Sequence, residues 1–309
     1  MDPCGTPKPR LILLLGPTGA GKTALALRLA ERFGGEIVGA DSMQVYRGMD
    51  IGTAKPTTEE RKRVPHHLLD VVAPDAPFDV SLYCELARTA IAALHREEKR
   101  IFVVGGTGLY LRALVGGLID GPAADETLRQ TLKDEMARLG KPHLYEKLRE
   151  RDPRAAARIH PQDGIRIVRA LEVLELTGRS IVDHQQAHRF QERPYEVLKI
   201  GLLPERERLW AAIDGRTEQM MARGFLDEVR QLLERYDGSL KAMQSLGYRH
   251  LVAQLAGKTD LAEAVRLIKA DTRRYAKRQL TWFTADPEIH WQDPDDEAEA
   301  AERIAGFLK

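Results

Sequence analysis

The stretch Leu11-Ile-Leu-Leu-Leu-Gly16-Pro-Thr-Gly-Ala-Gly-Lys-Thr23 decides the fold. Five successive aliphatic residues predict a strand that is buried on both faces. The next eight residues match the pattern G-x-x-x-x-G-K-[ST] of a phosphate-binding loop, and strong helix formers follow as far as Phe33. This order of strand, loop and helix predicts backbone amides that converge on an anion at a helix N-terminus. The positions of the loop are Gly16, Pro17, Thr18, Gly19, Ala20, Gly21, Lys22 and Thr23.

Two side chains at the end of this loop suit a phosphorylated ligand. The ammonium group of Lys22 can bridge phosphate oxygens, and the hydroxyl of Thr23 is the predicted protein ligand of a Mg²⁺ ion. The motif does not indicate which phosphates are held.

The composition excludes several classes of protein. The 309 residues suffice for one large or two modest domains, and the formal net charge of +1 indicates no charged partner. The two cysteines form no disulfide framework, so we expect a reducing, cytoplasmic setting. The sequence contains no signal segment and no apolar run near the roughly 20 residues of a membrane span, so no membrane association is expected.

Buried strands alternate with helices in the first third of the chain. Glu36–Ala40, His67–Val72 and Ile101–Val104 are predicted strands, and this alternation favours a parallel sheet of the α/β class. From about Asp120 helices dominate, until Lys199–Leu203 returns to the sheet, and the helices predicted after it include Ser239–Ala256. We therefore predict a P-loop NTPase-like core, residues 1–119 and 199–309, with a mostly helical insertion domain, residues 120–198.

Two of these strands end in residues suited to chemistry. Ligands bind at the carboxyl ends of parallel strands, where Asp41 and the turn Gly105-Gly106-Thr107 stand beside the phosphate loop. A carboxylate at Asp41 suits a general base or the outer shell of a magnesium site, although a helix N-cap is an alternative. The turn before Thr107 is alternatively a plain tight turn, and Arg216 is alternatively a solvated surface residue.

The C-terminal part of the chain is locally basic. The segment Lys241–Gln279 holds nine Lys and Arg against three Asp and Glu. Several of these cations recur at helical spacing, which indicates either a solvated helix face or a footprint on a nucleic-acid backbone.

Five motifs together resemble the bacterial tRNA dimethylallyltransferases, also called tRNA isopentenyltransferases. They are the phosphate loop, Asp41–Pro56, Val104–Tyr110, Gln244–Arg249 and Arg274–Phe283. The resemblance extends from about Leu11 to Trp291, and the second and fifth motifs are the most specific. It implies transfer of a dimethylallyl group from dimethylallyl diphosphate to the exocyclic amine of the adenosine 3′ of the anticodon in tRNA.

The resemblance also implies roles for individual residues. Asp41 would be the general base, Thr107 and Arg216 would act on the departing diphosphate held by the phosphate loop, and Mg²⁺ would bind at Thr23. The insertion would clasp the anticodon stem-loop, and we expect a cytoplasmic monomer. The implied tRNA contacts are Asp41, Ser42, Met43, Gln44, Thr107, Asp125, Ile165, Arg166, Ile167, Val168, Arg169, Gln244, Ser245, Leu246, Gly247, Tyr248, Arg249, Arg273, Arg274, Lys277 and Arg278.

Two other functions share part of this pattern. A small-molecule kinase would use the phosphate loop for ATP, but it would leave the basic C-terminal helix without a role. A nucleotide-gated RNA-binding switch would use that helix, but it would not need Asp41 and Thr107 at the same crevice. The donor that the protein consumes, ATP or dimethylallyl diphosphate, distinguishes the kinase, and prenylated adenosine in tRNA distinguishes the switch.

Overall fold

The chain forms two compact units, Met1–Val115 with Arg193–Lys309 (the core unit) and Gly116–Glu192 (the inserted unit). The structure is a computed structural model that describes residues 7–118, 122, 125–188 and 192–309, without the side chains of residues 187 and 188. The inserted unit thus begins and ends a few residues before the predicted bounds, 120–198.

A six-stranded, fully parallel sheet lies in the core unit, in the order β3-β2-β4-β1-β5-β6. The central strand β1 is buried from Leu11 to Leu15, as its aliphatic run predicts. The predicted α/β class is therefore confirmed. The strands are β1 (Arg10–Leu15), β2 (Gly35–Ala40), β3 (His66–His67), β4 (Arg100–Gly105), β5 (Glu196–Leu202) and β6 (His290–Gln292).

Several helices of the core unit begin at residues that cap them. Thr57 and Glu60 form a reciprocal capping box, and the Asp79 carboxylate accepts hydrogen bonds from the amides of Ser81 and Leu82. These helices are α1 (Lys22–Phe33), α2 (Thr58–Arg63), α3 (Val80–Arg96), α4 (Gly108–Gly116), α10 (Arg206–Ala222), α11 (Phe225–Leu233), α12 (Tyr248–Leu255), α13 (Leu261–Phe283) and α14 (Glu297–Leu308).

Two predicted elements are shorter than the sequence pattern suggested. The expected strand 67–72 ends at His67, because Leu68 and Asp70 have φ of 65° and 55° and leave the extended conformation. The helix expected over 239–256 begins only at Tyr248, and turns precede it.

The inserted unit is built from helices around its own apolar core. Leu144, Leu148, Ile167 and Leu171 are fully buried in this core. The helices are α5 (Glu126–Leu139), α6 (Lys141–Arg151), α7 (Pro153–Ala156), α8 (Gly164–Thr177) and α9 (Ile181–His188). In the described part of the chain, no helix is long and apolar enough to cross a membrane.

Candidate active site

The predicted phosphate loop connects β1 to α1. Gly21 precedes α1 in the left-handed conformation, with φ of 80°. Gly16 has φ of 142°, and a Cβ atom there would lie 2.7 Å from the carbonyl oxygen of Leu202 on β5. Glycine at position 16 is therefore required by both conformation and close packing.

The Lys22 side chain points back toward the phosphate loop, which precedes it in the chain. Its Nζ donates hydrogen bonds to the carbonyl oxygens of Gly16 at 2.9 Å and of Pro17 at 2.8 Å. Burial, together with the nearby Arg216 guanidinium, lowers the pKa of Lys22 from 10.5 to about 7, although the Asp41 carboxylate acts in the opposite sense. Lys22 is thus a cation held where an anion would stabilise its charge.

The Asp41 carboxylate follows β2, and only one of its two oxygens accepts hydrogen bonds from the backbone. Its Oδ1 accepts hydrogen bonds from the amides of Met43 at 2.8 Å and Gln44 at 3.3 Å. Among the described residues, no group donates a hydrogen bond to Oδ2. Asp41 therefore stabilises a turn, as the capping alternative required, and still offers one oxygen that can take a proton.

Arg216 and Thr107 occupy different places relative to this carboxylate. Arg216, on α10, donates a hydrogen bond to the Thr18 hydroxyl at 3.2 Å, and burial lowers its pKa while Asp41 raises it. The Thr107 hydroxyl accepts a hydrogen bond from the amide of Ser42 at 3.1 Å. Two cavities lie in this part of the core unit, and Thr107 is not among the described residues that line either of them. Its contact with phosphate therefore stays a prediction.

Two residues of α13 connect these loops, and both lie in the motif Arg274–Phe283 of the family resemblance, which implied no role for them at the phosphate loop. The Gln279 side chain accepts a hydrogen bond from the Thr18 amide and donates one to the Gly106 carbonyl, both at 2.8 Å. The Tyr275 hydroxyl interacts with the side chains of Thr107 and Gln279, and burial raises its pKa to about 12. Their spacing of four residues on one helix face was the available signal.

Two cavities of the core unit meet at Asp41. The first, the loop chamber, has a volume of about 470 Å³ and is lined by the phosphate loop, including Lys22 and Thr23. The second chamber has a volume of about 330 Å³ and is lined by the turns 42–43, 52–53 and 244–249. Five residues line both chambers: Thr18, Asp41, Arg216, Met220 and Tyr275.

Most of the predicted nucleic-acid contacts in the core unit lie along the second chamber. Ser42, Met43, the whole of Gln244–Arg249, and Arg278 line it. The Gln44 side chain lies along the loop chamber and donates hydrogen bonds to the carbonyls of Thr53 and Ala54.

The basic face of α13 is largely neutralised by neighbouring carboxylates. Lys269 pairs with Glu218 on α10 at 2.6 Å, and Arg273 contacts Asp214 on the same helix. The pairs Arg266–Glu263 and Arg274–Asp271 form within α13 itself.

Two cations of this face differ from the rest. Lys277 lies over the ring of Trp210 at 5.8 Å, and Arg278 lies over the ring of Tyr275 at 5.6 Å. Neither forms an ion pair with a carboxylate of the described residues, so these two are the cations most available to phosphates.

In the inserted unit, the predicted contact residues belong mainly to α8. Ile165 is 85% exposed, whereas Ile167 and Val168 are buried. The Asp125 carboxylate caps α5 by accepting a hydrogen bond from the amide of Leu128. Arg166 and Arg169 pair with Asp163 and Glu172, and both line a cavity of about 210 Å³.

The loop chamber suits a magnesium ion that takes most of its ligands from a substrate. Thr23 contributes a hydroxyl and Asp41 a carboxylate to its lining. Among the described residues, no group of three or more His, Cys, Asp or Glu side chains could hold a metal by itself. Mg²⁺ commonly keeps several waters and binds through one or two protein groups plus substrate phosphates, so this donor set fits it.

The phosphate loop follows the central strand of the parallel sheet, and the Asp41 carboxylate lines the same cavity as this loop. This arrangement is typical of P-loop enzymes that transfer a group. The sequence model described as IPP transferase matches residues 44–286, and the model described as isopentenyl transferase matches residues 9–71. The chain belongs to this family of prenyltransferases.

Individual relatives agree with this assignment. The tRNA dimethylallyltransferase 2 of Syntrophus aciditrophicus is 59% identical over 303 residues, which are 98% of this chain and 97% of that protein. The tRNA dimethylallyltransferase of Geobacter metallireducens is 55% identical over 92% of each chain.

Solved structures show the same fold. The tRNA isopentenylpyrophosphate transferase of Bacillus halodurans has a TM-score of 0.73 at 40% identity and covers 97% of both chains. A eukaryotic dimethylallyltransferase, solved acting on tRNA, has a TM-score of 0.81 at 29% identity, over 96% of this chain and 77% of that one.

Proposed function

We propose that this enzyme transfers the dimethylallyl group of dimethylallyl diphosphate to the exocyclic N6 amine of the adenosine 3′ of the anticodon in tRNA. The observation that carries the proposal is the meeting of the two chambers at Asp41. One chamber carries a phosphate loop and the other is bordered by basic residues, so the two substrates would meet at the carboxylate. The names of the relatives support the same reaction class.

The diphosphate of the donor would occupy the loop chamber. Lys22 would move its ammonium from the loop carbonyls to the phosphate oxygens, and Arg216 would stay beside Thr18. As the bond between C1 and the bridging oxygen breaks, these two cations and the loop amides would stabilise the charge on the departing diphosphate. Ala212 and Met220, which line the same chamber, offer an apolar surface to the prenyl chain.

The adenosine would enter through the second chamber. Its N6 amine attacks C1 of the prenyl group, a C–N bond forms, and the N6 proton passes to Oδ2 of Asp41. An unpaired anticodon-loop base can leave its stack at low cost, which suits a base that must enter a cavity. The turns 42–43 and 244–249 and Arg278 would surround the nucleotide.

A magnesium ion bound by Thr23 and the diphosphate would supply further positive charge to the leaving group. In the same proposal the inserted unit binds the anticodon stem-loop, with Ile165 and Arg166 on its exposed surface. The protein acts as a monomer in the cytoplasm.

Mass spectrometry of tRNA after incubation with each donor tests the proposal. We expect a dimethylallyl addition to one adenosine with dimethylallyl diphosphate and Mg²⁺, and no modification with ATP. RNA sequencing of the modified product locates the adenosine. Phosphate release from ATP without tRNA, dependent on Lys22, would overturn the proposal in favour of the kinase alternative.

A further inference from the structure

The Glu228 carboxylate on α11 accepts four hydrogen bonds, three from the turn 50–52 and one from Tyr248 at the start of α12. Its Oε2 accepts from the amides of Asp50 at 2.9 Å and Ile51 at 2.6 Å. Its Oε1 accepts from the amide of Gly52 at 3.1 Å and from the hydroxyl of Tyr248 at 2.6 Å. Three consecutive amides that converge on one carboxylate form an anion-binding turn whose anion is supplied by the protein itself.

The turn 50–52 packs closely against aromatic rings beside this carboxylate. A Cβ atom on Gly52 would lie 2.2 Å from the Phe225 ring and 2.6 Å from the Tyr248 ring. These two rings meet edge to face, with centroids 4.9 Å apart. Only glycine therefore fits at position 52, and the turn 50–52 is pressed against α11 and the start of α12.

The turn 50–52 is also fixed from its other side. The Lys55 ammonium is buried and donates hydrogen bonds to the Tyr46 carbonyl and to the carboxylates of Asp50 and Asp70. Because Lys55 fixes one end of this segment and Glu228 fixes its amides, the segment has a single geometry relative to α11.

Both turns that Glu228 joins are walls of the second chamber. Gly52 and Thr53 form one part of that lining, and residues 244–249 form another. Glu228 itself does not line either chamber. A change at its carboxylate would therefore alter the separation of the two walls without removing a group that faces a substrate.

We propose that Glu228 is a positioning residue that sets the width of the second chamber and thereby the affinity for the acceptor RNA. The inference rests on the proposed function, in which that chamber receives the adenosine. It assigns Glu228 no contact with substrate and no part in donor binding, since among the described residues no hydrogen bond joins Glu228 or the turn 50–52 to the phosphate loop.

The test is Glu228→Gln, with Glu234→Gln as the matched control. Glutamine keeps the size of the side chain, but its amide nitrogen would face donors and cannot accept their hydrogen bonds. We expect the Kd for an anticodon stem-loop RNA, and the KM for it, to rise about 10- to 100-fold, because the amides and the hydroxyl that hold the two walls together would lose their acceptor. We expect kcat to change less than threefold and the Kd for inorganic diphosphate to stay within twofold. Glu234 is exposed on the next turn of the chain after α11, and its replacement should change none of these values.

A second variant keeps the test decisive if Glu228→Gln does not fold. Tyr248→Phe removes one of the four donors and retains the ring that packs on Phe225, so a rise of about threefold in the same Kd is expected. Where Glu228→Gln folds, the two effects in the double variant should combine to less than their product, because the groups are hydrogen-bonded partners.

Two outcomes separate the inference from the proposed function. Unchanged RNA affinity in both single variants, beside an active parent, would overturn the role of Glu228 alone. A loss of kcat and of diphosphate binding in proportion to a reduced folded fraction would show a purely structural role and would also overturn it. A parent that prenylates no RNA would overturn the proposed function, and the inference with it.

Discussion

The two oxygens of the Asp41 carboxylate have different neighbours, and this difference defines its proposed role. Oδ1 is fixed by the amides of Met43 and Gln44. These hydrogen bonds hold the side chain in one orientation, so the two backbone amides also fix the position of Oδ2. A base that is oriented in this way loses little entropy when it takes a proton.

The substitution Asp41→Asn tests that role at the level of one atom. The asparagine oxygen can still accept the two amide hydrogen bonds, but the amide nitrogen cannot take a proton. Loss of general-base catalysis typically lowers a rate by about 10²- to 10⁴-fold, so we expect a decrease of that size in single-turnover transfer. Saturating donor and tRNA isolate the chemical step.

Binding measurements provide the control for this variant. The diphosphate affinity should survive, because Lys22, Arg216 and the loop amides remain in place. A single-turnover rate within about threefold of the parent would mean that Asp41 only stabilises its turn, and would remove it from the mechanism.

Lys22 predicts a pH dependence of donor binding. In the free enzyme burial lowers its pKa to about 7, and a bound diphosphate should raise that pKa again. Below pH 7 the ammonium is already charged, and binding needs no proton. Above pH 7 binding must take up a proton, so the affinity should fall by up to about tenfold per pH unit until the pKa of the bound state is reached.

Titration calorimetry with inorganic diphosphate between pH 6 and 9, in buffers of different ionisation enthalpy, measures that proton uptake. Lys22→Arg is the matched variant, because its guanidinium stays charged over this range, so the variant should lack the proton taken up by Lys22 and keep only the proton exchange of the diphosphate itself. Equal proton uptake by parent and variant would contradict the assignment to Lys22.

At the scale of elements, the basic face of α13 shows what a helical pattern can and cannot predict. The spacing of its cations placed them on one helix, and the structure confirms that helix as α13. Their ion-pair partners were not predictable, because Asp214 and Glu218 lie on α10 and reach α13 only through the tertiary fold. The irregular segments 68–71 and 239–247 were predicted as regular elements for a related reason, since tertiary contacts there override local propensity.

These pairings divide the cations of α13 into two groups that should differ in RNA binding. Lys277→Ala and Arg278→Ala should each reduce the slope of log affinity against log salt by about 0.9, the value for one lost phosphate contact. Arg273→Ala should reduce the slope less, because Arg273 already contacts Asp214. Filter binding of tRNA over a range of salt concentrations measures all three slopes.

Donor affinity serves as the internal control for these variants and should not change. A slope that is unaltered by Lys277→Ala and Arg278→Ala would place the phosphate contacts elsewhere. An equal effect of Arg273→Ala would show that its ion pair opens on binding.

At the scale of the whole molecule, the sheet explains why so much of the candidate site was visible in the sequence. β1, β2 and β4 are adjacent and parallel, so the residues that follow them meet at one edge. The phosphate loop, Asp41 and Thr107 were therefore predictable from strand ends alone. Gln279, Tyr275 and Glu228 were not, because they come from helices whose approach to that edge is set by packing.

At the same scale, we expect a buried charge cluster in the inserted unit to stabilise that unit and not the core unit. In the inserted unit the Glu172 side chain is fully buried and accepts hydrogen bonds from the Asp125 amide and from the guanidinium groups of Arg129 and Arg169. Removing one member of such a cluster leaves the others without their partner and costs about 3 to 5 kcal/mol. Both arginines are about one third exposed and can regain water, so we expect about 3 kcal/mol for Glu172→Ala, at the low end of that range.

Hydrogen exchange measures this loss in each unit separately. Protection of the amides in α5 and α8 should fall in Glu172→Ala, while the diphosphate affinity of the core unit stays unchanged. Glu146→Ala is the matched control, because its ion pair with Arg149 lies on the surface and contributes at most about 1 kcal/mol. If amide protection in β1 and β4 falls as much as in α8, the two units unfold together as one cooperative unit. The division of the chain would then hold for its contacts but not for its free energy of unfolding.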